Sequence, residues 1–216
     1  MRQFQAIIFD MDGVIVDSEE RHERAFLEVV HEIGCRDKLA LRFADYIGRS
    51  DQVLWVDFVA IHKPPQTVEE LLMMKRDRMI ELIRREQPLF EGLPELIEKL
   101  AARYVLGLAS GSERQVVAEV LEIDRLGRFF DAVVTDSDIP HGKPAPDIFL
   151  RAAELLQVPP QACCVIEDSK PGVAAGRAAG MEVIAITNTH PANELQHATH
   201  VVHTYRQIER LLLEPR

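Results

Sequence analysis

Short, largely apolar runs recur along the chain and each is stopped by polar residues: Ala6-Ile7-Ile8-Phe9, Tyr104 to Ala109, Ala132 to Thr135, Ala162-Cys163-Cys164-Val165-Ile166, Val183 to Ile186 and His200-Val201-Val202. Runs of this length without alternation predict strands buried on both faces, as in a parallel sheet covered by helices. Between the later runs the pattern turns helical, with starts expected near Ser112, Pro144 and Pro171. The alternation predicts an α/β fold, a doubly wound parallel sheet with a Rossmann-like core.

The first interval breaks the rhythm. From Phe9 to Tyr104 the chain is far longer than the roughly 30 residues of a simple βαβ unit, so something is inserted. Phe26, Val29, Val30 and Ile33 fall at helical spacing. Thr67-Val68-Glu69-Glu70 reads as a capping box ahead of Leu71, Leu72, Met79, Leu82 and Ile83, and Pro64-Pro65 separates two helices. The expectation is an all-helical cap domain over residues 15–88, inserted into a catalytic core made of residues 1–14 and 89–216. Hinges are expected near Val14–Ser18 and Gln87–Gly92.

Polar residues at the strand ends carry the candidate chemistry. In open α/β sheets ligands bind beyond the carboxyl ends of the strands. Asp10 and Asp12 follow the first strand, and Glu167-Asp168-Ser169 follow the fourth. Alone, Asp10-Met11-Asp12-Gly13 also reads as a buried strand entering an Asp-Gly turn. With both pairs at one crevice, four carboxylates converge, and oxygen-only ligands point to a hard cation such as Mg²⁺. Ser110-Gly111-Ser112 offers a hydroxyl and free backbone N–H groups at a helix start, which suits a phosphate. Lys143 stands just before a proline-initiated helix and completes the set.

Composition narrows the class. The chain has 216 residues, 47% of them hydrophobic, enough for one sizeable core and a smaller accessory domain. No run reaches the roughly 18 apolar residues of a membrane span, and the start shows no basic-then-apolar leader pattern, so a cytoplasmic protein is expected. A formal net charge of -10 argues against nucleic acid and anionic membranes as partners. It leaves a small anionic metabolite open, because distant charge is screened beyond about 8 Å at physiological salt. Cys163 and Cys164, adjacent in a strand, point to opposite faces, and Cys35 is isolated; all three read as small apolar residues rather than a redox or metal set.

The order Asp10-x-Asp12-Gly13-Val14-Ile15-x-Asp17-Ser18, then Ser110, Lys143-Pro144 and Glu167-Asp168-Ser169 resembles the haloacid-dehalogenase-like superfamily, in the subgroup of β-phosphoglucomutase and small sugar-phosphate phosphatases. The likeness covers nearly the whole chain, including Lys143-Pro-Ala-Pro-Asp-Ile-Phe149 and Gly172 to Met181. It implies Asp10 as nucleophile forming an aspartyl-phosphate, Asp12 as general acid and base, and Ser110 and Lys143 stabilising the transferring oxygens. It further implies Mg²⁺ held by Asp10, the Asp12 carbonyl, Glu167 and Asp168. A phosphatase of a small phosphorylated metabolite, such as a sugar phosphate, is the activity implied, with a phosphosugar mutase as the alternative. A monomer or small homo-oligomer is expected.

Substrate contacts in that family come largely from the cap. Here the loop Tyr46 to Asp51 offers Arg49, which either grips substrate or is a solvated arginine. His22 resembles a histidine of the phosphoglucomutase group, the plainer reading being a surface histidine. Ser110 and Gly111 are the expected phosphate contacts. Asp51 and Glu113-Arg114 depart from the mutase pattern and alter or remove positive charge that would hold a bisphosphate, which favours the phosphatase. Dehalogenase and phosphonate-cleaving activities, and a phospho-acceptor receiver domain, are minor alternatives.

Overall fold

The computed structural model describes residues 4–36, 39–46 and 50–214. Its sheet has six strands: β1 (Ala6–Phe9), β2 (Val105–Ala109), β3 (Ala132–Val134), β4 (Cys163–Glu167), β5 (Glu182–Ile186) and β6 (His200–Val202). They are ordered β3-β2-β1-β4-β5-β6, and every pairing is parallel. β1 is thus central, with Ala6 in register with Val105 on one side and Cys163 on the other.

Successive residues of each strand serve opposite faces, as the period of a strand demands. Ile7, Phe9, Leu106, Leu108, Cys164 and Ile166 belong to one apolar cluster, together with residues of α4 (Leu93–Ala101), α5 (Arg114–Glu122) and α8 (Tyr205–Leu213). Ala6, Ile8, Cys163 and Val165 join the other, covered by α6 (Asp147–Leu155) and α7 (Lys170–Ala178). Cys163 and Cys164 are buried on opposite faces, as the sequence predicts.

Between β1 and β2, ahead of α4, lie α1 (Glu19–Glu32), α2 (Asp51–His62) and α3 (Val68–Glu86). The capping box on α3 is present: Thr67 accepts from the Glu70 N–H at 3.2 Å while Glu70 accepts from the Thr67 N–H at 2.8 Å. These helices enclose an aromatic cluster of their own, with Phe26 and Trp55 rings 5.1 Å apart and Trp55 and Phe58 rings 5.2 Å apart. The insertion is not walled off, however. Met79, Leu82 and Ile83 of α3 and Ala25 of α1 belong to the main core cluster.

The two chain crossings between sheet and insertion run side by side. The Asp17 N–H donates to the Pro88 carbonyl at 2.9 Å and the Phe90 N–H to the Ile15 carbonyl at 3.3 Å. Helices start within a few residues of expectation; α5 begins at Arg114 and α6 at Asp147. Pro144 lies in a loop ahead of α6, after a cis Lys143-Pro144 bond. Among the described residues no helix is long and apolar enough to cross a membrane.

Candidate active site

The ends of β1 and β4, adjacent in the sheet, set the first carboxylates side by side. One oxygen from each of Asp10, Glu167 and Asp168 lies within 4.8 Å of the others, and all three residues are buried. Lys143 reaches into this cluster, with Nζ 2.6 Å from Asp10 Oδ1 and 2.6 Å from Glu167 Oε1. Burial, together with the neighbouring Glu167 and Asp12 charges, pushes the Asp10 carboxyl up to about 8 against the pull of Lys143. Asp168 is raised as well, by burial and by Glu167 and Asp10. One ammonium does not balance three buried carboxylates, and an all-oxygen cluster short of positive charge is the donor set that a hard divalent cation requires.

Glu167 is fixed more firmly than its neighbours. Its Oε2 accepts from the Asp168 N–H at 2.7 Å, the Ser169 N–H at 2.7 Å and the Ser169 hydroxyl at 2.9 Å. Ser169 in turn caps α7 by accepting from the Gly172 N–H at 3.1 Å. Only a glycine fits at 172, because a Cβ there would lie 1.5 Å from Glu167 Oε1. Oε1 is the oxygen left to face Lys143 and any cation.

Asp12 is held differently. Its Oδ1 accepts from Ser18 Oγ at 2.6 Å and faces His22 Nε2 at 3.3 Å; its Oδ2 accepts from Ser112 Oγ at 2.7 Å and lies 3.4 Å from Ser110 Oγ. Burial raises this carboxyl, but the bonds from His22, Ser18 and Ser112 outweigh it and hold Asp12 well below the usual carboxylate range. His22 is therefore directed inward, not solvated. On its other side Nδ1 meets Lys75 Nζ at 3.0 Å, and Lys75 also pairs with Asp51. Lys75 is buried, with only 1% of its surface exposed.

The loop between Asp10 and the first chain crossing is a single tight turn. The N–H groups of Val14, Ile15 and Val16 all donate to the Met11 carbonyl, and Gly13 adopts φ +74°. A Cβ at Gly13 would stand 1.8 Å from Asp168 Oδ2, so this turn lies directly against the second acidic pair. A cavity of ≈ 1000 Å³ opens above these groups, between the strand ends and α1 to α3. Its far wall carries Asp51, Glu113 and Asp136, with Arg76 3.6 Å from Glu113.

Residues 4–180 match the family model of haloacid dehalogenase-like hydrolases. This chain belongs to that family. Among relatives of the hydrolase, hexitol phosphatase B of Escherichia coli strain K12 is 34% identical over 199 residues, covering 90% of this chain and 87% of that protein. Fructose-1-phosphate phosphatase YqaB of the same strain is 31% identical over 186 residues, covering 85% and 97%. The crystal structure of a β-phosphoglucomutase from Clostridium difficile superposes with a TM-score of 0.81 at 24% identity, over 95% of this chain and 93% of that one, a likeness of fold alone.

The hydrolase brings Asp10, Asp12, His22, Ser110, Lys143, Glu167 and Asp168 to one end of the sheet, and Gly111 lines the same cavity. Arg49 lies outside the described residues. Ser110 is fully buried and its hydroxyl accepts from the Ser112 N–H at 3.0 Å, so Ser112 makes the shorter bond to Asp12. Sequence reasoning missed Lys75, and it named Ser18 and Ser112 only within their motifs, without the bonds that both make to Asp12. Lys75 had a signal: it sits four residues after Leu71 and four before Met79, on the buried stripe of α3.

Proposed function

We propose that this hydrolase is a Mg²⁺-dependent phosphatase of a small phosphorylated metabolite, a sugar or sugar-alcohol phosphate. The activities named for the two Escherichia coli relatives support the phosphatase class and the carbohydrate substrate. The observation that carries the chemistry is the contrast between Asp10 and Asp12, two residues apart but in opposed surroundings: one beside Lys143 and the acidic cluster, the other wrapped in hydroxyl and imidazole donors.

In this reading the Asp10 carboxylate attacks the phosphorus and an aspartyl-phosphate forms as the sugar oxygen leaves. Lys143 holds Asp10 in place and offsets charge on the transferring oxygens. Asp10, Glu167 and Asp168 would hold Mg²⁺, which when bound supplies the positive charge that lets a carboxylate approach a phosphate. Asp12, held beside the site by Ser18, His22 and Ser112, takes a proton from the water that attacks the aspartyl-phosphate once the charge of the phosphoryl group has raised its lowered basicity. To protonate the leaving oxygen first, Asp12 must gain a proton, which the negative charge of an arriving phosphate favours.

Residues 15–88 form the cap in this proposal, bringing His22 and Lys75 over the bound substrate and excluding bulk water. Hydrolysis is favoured over phosphate migration because cap and loop cations near the far wall are committed. Lys75 pairs with Asp51, Arg76 faces Glu113, and Arg114 grips Asp138 Oδ2 at 2.6 Å. Such a wall is poorly suited to a second phosphate. A soluble cytoplasmic enzyme, monomeric or a small homo-oligomer, fits this chemistry.

The test is phosphate release across a panel of phosphorylated sugars, sugar alcohols and nucleotides, with and without Mg²⁺. With β-glucose 1-phosphate and a trace of glucose 1,6-bisphosphate, inorganic phosphate is expected at least as fast as glucose 6-phosphate. Glucose 6-phosphate running many turnovers ahead would make the enzyme a mutase.

A further inference from the structure

The turn that carries Asp12 is held from outside by two residues distant in sequence. Asn188 Nδ2 donates to the Gly13 carbonyl at 2.7 Å and to the Tyr205 hydroxyl at 2.9 Å, and that hydroxyl donates to the Val14 carbonyl at 2.7 Å. The chain of donors is complete: both amide hydrogens and the phenol hydrogen are used, and the phenol oxygen also accepts. Each carbonyl so held belongs to the turn that begins at Met11.

Both pinning residues stand on fixed ground. Asn188 follows β5 by two residues, and its neighbour Thr187 donates its N–H to the Val202 carbonyl at 3.0 Å. Tyr205 is the first residue of α8, whose start is capped by the Thr204 side chain on the Gln207 N–H. The next residue in the same loop, Thr189, hydrogen-bonds the Asp168 carboxyl. One short segment after β5 therefore touches both the Asp12 turn and the second acidic pair.

Tyr205 also reaches the other chain crossing. Its ring packs on Phe90 with centroids 5.9 Å apart, and the Phe90 N–H is bonded to the Ile15 carbonyl at 3.3 Å. A single core side chain thus contacts both strands that connect sheet to insertion, by its hydroxyl on the outgoing strand and by its ring on the returning one. Any tilt of α1 to α3 about these crossings must turn around this contact.

We infer that Tyr205, aided by Asn188, is a positioning residue. It pins the Gly13–Val14 turn against Asp168 and forms the fixed pivot for both crossings. That the pinned turn matters for turnover rests on the function proposed above; the pinning itself does not.

Hydrogen–deuterium exchange read by mass spectrometry on the full chain tests this without substrate. In Tyr205→Phe, which keeps the ring, exchange over residues 13–17 is expected to rise at least tenfold while residues 88–92 change less. In Tyr205→Ala both segments loosen. Asn188→Ala, a surface change with little effect on folding, loosens 13–17 alone. β4 and β5 stay at wild-type protection in all three. Exchange over 13–17 within twofold of wild type, or loss of protection spread equally into β4 and β5, overturns the pin. In the same variants kcat should fall at least fivefold with KM for a small phosphate ester unchanged; faster exchange with unaltered kcat overturns the positioning role. Should wild-type protein release no phosphate from any substrate while the exchange pattern appears, the pin stands and the phosphatase reading fails.

Discussion

Lys75 Nζ lies 3.0 Å from His22 Nδ1. An ammonium can only donate, so Nδ1 accepts and the ring proton of neutral His22 is on Nε2, directed at Asp12 Oδ1 3.3 Å away. A lysine on the third insertion helix thus fixes the tautomer of a histidine on the first, which in turn addresses the carboxylate after β1.

Replacing this lysine should uncouple the chain. Lys75→Met keeps the volume and helix propensity but leaves Asp51 unpaired and His22 free to change tautomer. We expect kcat/KM on a phosphorylated sugar to fall about 10- to 100-fold, ~1.4 to 2.7 kcal/mol of transition-state stabilisation. The insertion helices should keep their circular dichroism. Steady-state kinetics with retained kcat/KM would remove Lys75 from the proton-handling network.

Asp10→Asn should abolish the reaction rather than retune it. A carboxamide is isosteric with the carboxylate but is no nucleophile, so turnover should drop at least about a thousandfold, ~4 kcal/mol of barrier. Near-normal turnover by this variant would falsify the nucleophile assignment.

The strand ends were legible because each apolar run stops abruptly in charged or hydroxyl residues, so the parallel sheet and the positions of Asp10, Asp12, Glu167 and Asp168 follow from one pattern, whereas Lys143 lies in the loop beyond β3 and was singled out by the helix start that follows it. Lys75, Asn188 and Tyr205 were not legible. They act through contacts made across the insertion and the last helix, and local periodicity carries no information on which distant carbonyl a phenol will meet. The merging of α3 with the main core was hidden for the same reason: Met79 and Ile83 read as apolar whichever cluster they join.

Metal and pH should act together on stability. In metal-free protein the Asp10 carboxyl, ordinarily near 3.8, is raised to about 8 by burial. A raised folded pKa means the folded state holds the proton more tightly than the unfolded one. Its stabilising contribution is therefore full below about pH 4 and lost as pH climbs toward 8. Metal-free Tm should accordingly decline from pH 5 to pH 8, and added Mg²⁺ should restore it more at pH 8 than at pH 5; at a hundredfold excess over Kd the gain is about 2.7 kcal/mol. Scanning calorimetry showing equal Mg²⁺ effects at both pH values would place the cation elsewhere.

The glycine at 172 makes a sharper demand on packing than on backbone conformation. Gly172→Ala would set a methyl 1.5 Å from Glu167 Oε1, so either α7 or the Glu167 carboxylate must move. We expect a loss of about 1–3 kcal/mol in urea unfolding, with Lys143 losing its second partner and activity falling with it. Wild-type midpoint and slope would mean that α7 shifts freely on the sheet.

The central place of β1 has a consequence for how the molecule is made. Its four apolar residues are made well before their partners: Ala6 pairs with Val105, 99 residues further along the chain, and with Cys163, 157 residues further along. The insertion helices, with their own aromatic cluster, can collapse early by local contacts, whereas the sheet must wait for pairings of large sequence separation, which are slow to form. The nascent enzyme therefore carries β1 without a neighbour until β2 has been made, and the acidic cluster of Asp10, Glu167 and Asp168 comes together only once β4 has followed.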